Sequence, residues 1–349
     1  MYAFCTVVTS SHYPYVLALH ESLRASGNRE ELHVLMVGSP PPAGDAESGL
    51  IVLGMDDLQV DVPAMMPYYY SAFEMCNALK PFLVSHLIGQ DQMERVIFLD
   101  SDLLITDRFE RVWQELDSAS LLLTPHHYSP PALGSKHTNE VDVIDLGYLN
   151  GGFAGWRKGP VTTKILQWMR ERFAVYGFYR YLGMAADQKL LPLLLAYFPD
   201  DVKMLRDPGL NIAYWNAHER SVTEVSPDHY EIEGRSVVFF HMSGCKPSHP
   251  GMPCAYISDE ANAELLTAAP WLKPVVAHYQ ALLERHFSDY VADPYEFVKY
   301  DGVKLNDAYR RLLFKAGKLD RRDYRFWQIW CVVRLRMLKR LLTGVRPLS

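Results

Sequence analysis

The chain has 349 residues, 49% hydrophobic and 22% charged, which is enough apolar material for one large globular domain with an appendage. Its net charge of −6 argues against a nucleic-acid partner, and no run of 18 apolar residues could span a membrane. The charge is uneven: residues 318–349 carry nine Lys/Arg against Asp320 and Asp323, which leaves 26 basic and 39 acidic residues in the rest, a balance of −13.

The predicted elements begin with a strand, Tyr2 to Val8, that stops at Thr9-Ser10-Ser11. These opening residues lack the basic region and cleavage site of a signal peptide. The five cysteines (Cys5, Cys76, Cys245, Cys254, Cys331) are scattered with no CxxC pair, which fits reduced thiols in a cytoplasmic protein. A helix with Val16, Leu17, Leu19 and Leu23 on one face ends at Gly27-Asn28. Leu32 to Val37 forms a second strand, Gly38 to Gly49 a Pro/Gly-rich loop, and Ile51 to Leu53 a third strand. Strand–helix–strand alternation is the mark of a doubly wound α/β sheet, and no GxGxxG follows the first strand to make it a dinucleotide site.

Ser71 to Ile88 is helical in pattern, but Pro81 lies inside it and predicts two pieces or a kink. Lys80 sits in this apolar stretch and reads on its own as a lysine that snorkels to the surface. Next comes Arg95-Val-Ile-Phe-Leu-Asp-Ser-Asp-Leu-Leu-Ile-Thr106. Its apolar run reads as a buried strand that ends in Asp100 and Asp102. Two carboxylates at a buried strand end need compensation, and a divalent cation at the carboxyl edge of the sheet supplies it. A solvated acidic turn is the other reading.

Arg108 to Leu116 is a predicted helix, Leu121 to Thr124 a strand, and Pro125 to Val141 a loop over one sheet edge. The run Leu149 to Trp156 holds Gly151, Gly152 and Gly155, which suits either a bulge or backbone that something approaches closely. Asp187-Gln188 is placed at the start of a helix of roughly two turns, where an Asp can simply cap. Asn211 to Asn216 is rich in aromatics and amides. Ser236 to Phe240 is a strand closed by His241-Met-Ser-Gly-Cys-Lys-Pro247, in which His241 reads equally as a rim residue.

Taken together, VIFLDSDLLI, YLNGGFAGW, ADQKLL and FFHMSGCKP resemble, in order, the motifs of nucleotide-sugar transferases of the GT-A fold. The resemblance is to family 8, with its glycogenin-like and lipopolysaccharide-galactosyltransferase relatives, and NIAYWNAHER before FFHMSG resembles a bacterial surface-polysaccharide branch. It covers roughly residues 2–250. It implies a mostly parallel GT-A sheet flanked by helices, with catalytic domain 1–250, a helical subdomain 251–317 and a basic tail 318–349.

It further implies a retaining hexosyltransferase that uses a UDP-sugar donor, Mn²⁺ (or Mg²⁺), and a glycan or lipid-linked acceptor. Asp100, Asp102 and His241 would hold the metal, and Asp100 also the ribose. Lys80, Gly244 and Lys246 would serve the nucleotide, with Thr6 and Thr9 at the nucleoside. Asn150, Gly151 and Gly152 would line the sugar site, and Asp187 with Gln188 would hold sugar hydroxyls. One departure is that Ser248, not Trp, follows Lys246-Pro247, and one residue fewer separates His241 from Lys246. A carbohydrate-binding protein without catalysis would carry the same motifs. A haloacid-dehalogenase-type phosphatase would need its Asp-x-Asp near the first strand.

Tyr324 to Leu342 has no Pro or Gly and reads as one basic amphipathic helix. It fits an anionic membrane interface on the cytoplasmic face, or a helix packed on the catalytic domain.

Overall fold

The computed structural model describes residues 1–40 and 49–317. Most of the Gly38–Gly49 loop, Cys331 and the tail helix expected over 324–342 lie outside the described residues. No helix among those described is long and apolar enough to cross a membrane.

Alternating apolar strands and amphipathic helices build the first half. In order these are β1 (Tyr2–Val8), α1 (Tyr13–Ala25), β2 (Glu31–Met36), β3 (Leu50–Leu53), α2 (Met66–Tyr69), α3 (Ala72–Gly89), β4 (Arg95–Leu99) and β5 (Leu103–Ile105). There follow α4 (Glu110–Glu115), β6 (Leu121–Pro125), α5 (Glu140–Leu146), β7 (Leu149–Arg157), α6 (Pro160–Tyr176), α7 (Leu191–Tyr197) and β8 (Val202–Met204). The remainder comprises β9 (Val222–Ser226), β10 (His229–Ile232), β11 (Arg235–Ser236), β12 (Phe239–His241), α8 (Asp259–Ala268), α9 (Leu272–Phe287), β13 (Lys299–Tyr300), β14 (Val303–Lys304) and α10 (Asp307–Gly317).

Seven strands form one sheet in the order β3-β2-β1-β4-β7-β6-β8. All its pairings are parallel except those of β7, which runs antiparallel to β4 and β6. The expected mostly parallel α/β sheet is therefore present. Along β1 the side chains alternate between two cores, as the strand period requires. Cys5 and Val7 join the core under α3 and α6, while Phe4 and Val8 join the one under α1 and α4.

Three local expectations are corrected. α3 is one helix across Pro81, not two pieces. Ser71 and Glu74 close a capping box at its start, and Leu79, Phe82, Leu83 and Leu87 are buried along it. That burial outweighs the roughly 3 kcal/mol a mid-helix proline costs. The strand expected over Ser236–Phe240 is split: β11 ends a three-stranded hairpin sheet, while β12 pairs antiparallel with β5. Third, Asp187 and Gln188 lie in a turn before α7, whose first residue is Leu191, so Asp187 caps nothing there.

Candidate active site

Three chain segments converge at the carboxyl edge of β4. The turn Asp100-Ser101-Asp102 is held by its backbone: the Asp100 amide donates to the Gly152 carbonyl (2.8 Å), and the Asp102 carbonyl accepts from the Met242 amide (2.9 Å). β12 pairs His241 with Leu103 of β5, so the imidazole stands beside Asp102. His241 Nε2 lies 3.3 Å from Asp102 Oδ1. One ligand atom each from Asp100, Asp102 and His241 fall within 4.8 Å of one another.

Asn211 sets the orientation of that imidazole. Its amide nitrogen donates to the Pro125 carbonyl (3.4 Å), which turns its oxygen to His241 Nδ1 at 3.0 Å. With Nδ1 held by Asn211, Nε2 faces Asp102, the side from which a metal-binding histidine offers its ligand atom. Asn211 itself adopts a left-handed backbone (φ 55°), and Asn216 donates to its carbonyl at 2.9 Å.

Lys80 of α3 reaches the other side of the same turn. Its ammonium lies 3.1 Å from Asp100 Oδ1, 3.1 Å from Asp187 Oδ2 and 2.9 Å from the Gly151 carbonyl. With its side chain only 11% exposed, it bridges two carboxylates and does not snorkel. Burial works against its charge, but Asp100 and Asp187 overcome that and hold it above the ordinary lysine range. Burial also pushes both carboxyls of the turn up. At Asp100 this outweighs Lys80 and leaves the group raised, whereas at Asp102 the His241 imidazole prevails and leaves it lowered.

The glycines of β7 belong to this geometry. The register with β6 jumps from Leu123–Ala154 to Thr124–Asn150, so the run does carry a bulge. It also brings backbone close to side chains. A Cβ on Gly151 would fall 2.4 Å from Asp187 Oδ2, and one on Gly152 would fall 2.4 Å from His241 Cε1. Gln188 accepts from the Gly151 amide at 3.2 Å. Asn150 caps the Gly152 amide (2.9 Å) and meets His126 Nε2 at 3.1 Å.

The remaining expected residues are spread around this centre. Gly244 takes a left-handed backbone (φ 77°), and a Cβ there would strike Cys254 Sγ at 2.8 Å. Lys246 holds its ammonium over the Tyr256 ring (5.4 Å). Thr9 at the end of β1 shares its hydroxyl with Ser11 (3.1 Å) and His12 (3.5 Å). Thr6 is fully buried within β1, and its hydroxyl has no hydrogen-bond partner among the described residues.

Sequence reasoning gave no role to His12, Asn211 or His126. His12 feels both Asp102 and Lys246, although burial is the main influence that lowers its pKa. A lone His in a turn carries no pattern that would have marked it. Asn211 and Asn216 stood out only as amides in an aromatic stretch.

Burial lowers the His126 pKa from 6.5 to about 4. The unfolded chain therefore takes up a proton near pH 6.5 that the folded chain refuses until about pH 4. Stability is accordingly full above pH 6.5 and falls as the pH drops toward 4, by on the order of 3 kcal/mol from this group. His126→Gln should flatten the slope of melting temperature against pH over that window. An unchanged slope would show that other groups set it.

No protein-family model matches the chain. It is 25% identical over 258 residues to YfnF, an uncharacterized protein of Bacillus subtilis (strain 168), a match that covers 69% of this chain and 81% of the relative. It is 26% identical over 180 residues to the uncharacterized YfnD of the same strain, covering 49% of this chain and 53% of that relative. Among solved structures it is similar to the galactosyltransferase LgtC in complex with donor and acceptor sugar analogs, with a TM-score of 0.46 and 15% identity over 77% of this chain and 96% of that one. It is also similar to the glycosyltransferase GlyE of Streptococcus pneumoniae TIGR4, with a TM-score of 0.42 and 13% identity over 84% of this chain and 65% of that one. Mouse xyloside xylosyltransferase 1 in its apo form gives a TM-score of 0.36 and 16% identity over 69% of this chain and 97% of that one.

Proposed function

We propose that the chain is a metal-dependent glycosyltransferase of the GT-A type. It would take a sugar from a nucleoside diphosphate sugar, foremost a UDP-sugar, and pass it with retention to a glycan or lipid-linked acceptor. The observation that best supports this is the junction at Lys80, which touches Asp100 on the metal side and Asp187 on the other. One cation thereby couples the candidate diphosphate site to the candidate sugar site.

The donor set fits a divalent ion. Asp100, Asp102 and His241 offer two carboxylates and an imidazole, with His241 Nδ1 held by Asn211 at 3.0 Å. A mixed O/N set suits Mn²⁺ more readily than Mg²⁺, which prefers oxygen and water. Bound there, the ion supplies Lewis-acid stabilisation for the departing diphosphate.

The chain's own groups do the rest. Lys246, whose charge is felt at His12 together with that of Asp102, would place a positive charge where a diphosphate would lie. Asp187, 4% exposed and braced by Lys80, presents its carboxylate to sugar hydroxyls and orients the anomeric carbon. Gln188 tethers the Gly151 amide, and Asn150 fixes the Gly152 amide, so the backbone lining the sugar is held on both sides.

Asp187→Asn tests this division of labour. Turnover of a UDP-sugar should fall by about 100-fold or more, while calorimetric affinity for UDP with Mn²⁺ changes little. A comparable loss of UDP affinity would make Asp187 a nucleotide or folding residue. Retention is read from the first anomer released when a UDP-sugar is hydrolysed, by proton NMR. An inverted first product overturns that part.

A further inference from the structure

Asp187 is delivered by a strained hairpin. Between Phe178 and Asp187 the backbone is left-handed at Arg180 (φ 53°), Leu182 (φ 57°), Gly183 (φ 70°) and Ala186 (φ 51°). Three of these four carry side chains, which L residues rarely tolerate in that region and which cost of order 1 kcal/mol apiece. Such a loop keeps its shape only where its surroundings impose it. Its neck is closed by the Ala186 amide donating to the Phe178 carbonyl (2.9 Å), directly before Asp187.

What imposes the shape is α10, well outside the site. Arg311 donates from Nη2 to Glu74 Oε1 (3.0 Å). The same carboxylate oxygen accepts the Tyr179 amide at 2.8 Å, the second residue of the hairpin. The Arg311 guanidinium also lies between two hairpin rings, 4.6 Å from Phe178 and 4.6 Å from Tyr181. Glu74 sits on α3, the helix that also carries Lys80, the partner of Asp187. Both ends of the hairpin are therefore referred to one helix: the neck through Glu74, the carboxylate through Lys80.

α10 is itself firmly seated. Arg310 is buried and donates to the carbonyls of Pro67 and Tyr68 (3.2 Å each), to Phe297 (2.8 Å) and to Tyr70. Phe314 packs edge-on against Phe178 at 4.6 Å. Holding two adjacent guanidinium groups out of water is costly: Arg310 is buried, and Arg311 is partly buried (18% side-chain exposure) with its Nη1 lacking a hydrogen-bond partner among the described residues. Simple covering of an apolar face would be done more cheaply by leucines.

We infer that Arg311 is a positioning residue for sugar transfer: through Glu74 and the Phe178–Tyr181 rings it holds the strained hairpin that sets Asp187 against Lys80. The inference rests on the proposed transferase reading and deepens it. α10 then acts on turnover without touching the nucleotide site.

The experiment uses the full chain with a UDP-sugar and Mn²⁺. Arg311→Met keeps a side chain of similar length over the rings but removes every donor. Its kcat should fall by about 10- to 100-fold, the effect of a catalytic group displaced by around an ångström, with UDP affinity by calorimetry unchanged within about twofold. Arg311→Lys, which can still pair with Glu74, should recover most of the loss. Ala186→Gly removes one buried methyl but keeps the neck hydrogen bond to Phe178 and every Arg311 contact, relieves φ, and by loosening the neck should lower kcat in the same selective way.

Wild-type kcat in a folded Arg311→Met overturns the inference, as does a parallel loss of UDP affinity in it, and wild-type kcat in Ala186→Gly overturns the role given to the strained hairpin. If Arg311→Met does not fold, Arg311→Gln, shorter and uncharged, decides by the same readout: wild-type kcat in it overturns the inference. A wild-type chain that binds UDP with Mn²⁺ but turns over no nucleotide sugar overturns the transferase reading beneath it.

Discussion

Asp102→Ala and His241→Ala should each lower turnover of a nucleotide sugar by about 1,000-fold or more, with the fold intact. The two side chains face each other at 3.3 Å at the carboxyl edge of the sheet, Asp102 partly exposed and His241 buried beside Trp215. What disappears in each is one of the three donors that would hold the ion neutralising a leaving diphosphate. EDTA should abolish activity in the unaltered chain, and Mn²⁺ should restore it better than Mg²⁺. The effect extends one residue outward. Asn211→Ala releases His241 Nδ1 and should weaken metal binding by about 10- to 100-fold, measured by Mn²⁺ titration. Full activity of Asp102→Ala in the presence of EDTA would remove the metal from the mechanism.

Lys80→Ala carries the largest combined effect on stability and turnover. It strips the shared cation from Asp100 and Asp187, the latter 4% exposed. Leaving such carboxylates unpaired costs about 3–5 kcal/mol, and the bracing of Asp187 is lost with it. The thermal midpoint should drop sharply, and turnover should fall by at least about 100-fold. Pairing Lys80→Met with Asp187→Asn separates the two consequences. The double variant removes one buried charge of each sign, so stability should largely return while turnover does not. A Lys80→Ala chain as stable as the wild type would mean that the carboxylates do not depend on Lys80.

How much of this was legible in the sequence depended on what each signal reports. The buried strands carrying Cys5, Val34 and Ile97 announced themselves, because a covered parallel sheet demands continuous apolar runs. Asp100, Asp102 and His241 were legible as chemistry, but only pairing between β5 and β12 brings residues 102 and 241 together. Lys80 read as a surface lysine because burial of a single charge is invisible until its two partners, 20 and 107 positions away, are folded against it. Pro81 predicted two pieces or a kink, and one helix runs across it. The hairpin before Asp187 was illegible for a different reason: Arg180, Leu182 and Ala186 have no preference for left-handed backbone, and nothing local asks for it. Arg311 was equally silent, since its partner Glu74 lies 237 residues away.

The most direct measurement is release of nucleoside diphosphate from a panel of nucleotide sugars by the full chain, with and without Mn²⁺. Turnover of at least one UDP-sugar that requires the divalent ion, and that disappears in His241→Ala, is the expected result. UDP release that proceeds unchanged in EDTA, or no release from any nucleotide sugar with Mn²⁺ present, would contradict a metal-dependent glycosyltransferase built on Asp100, Asp102 and His241.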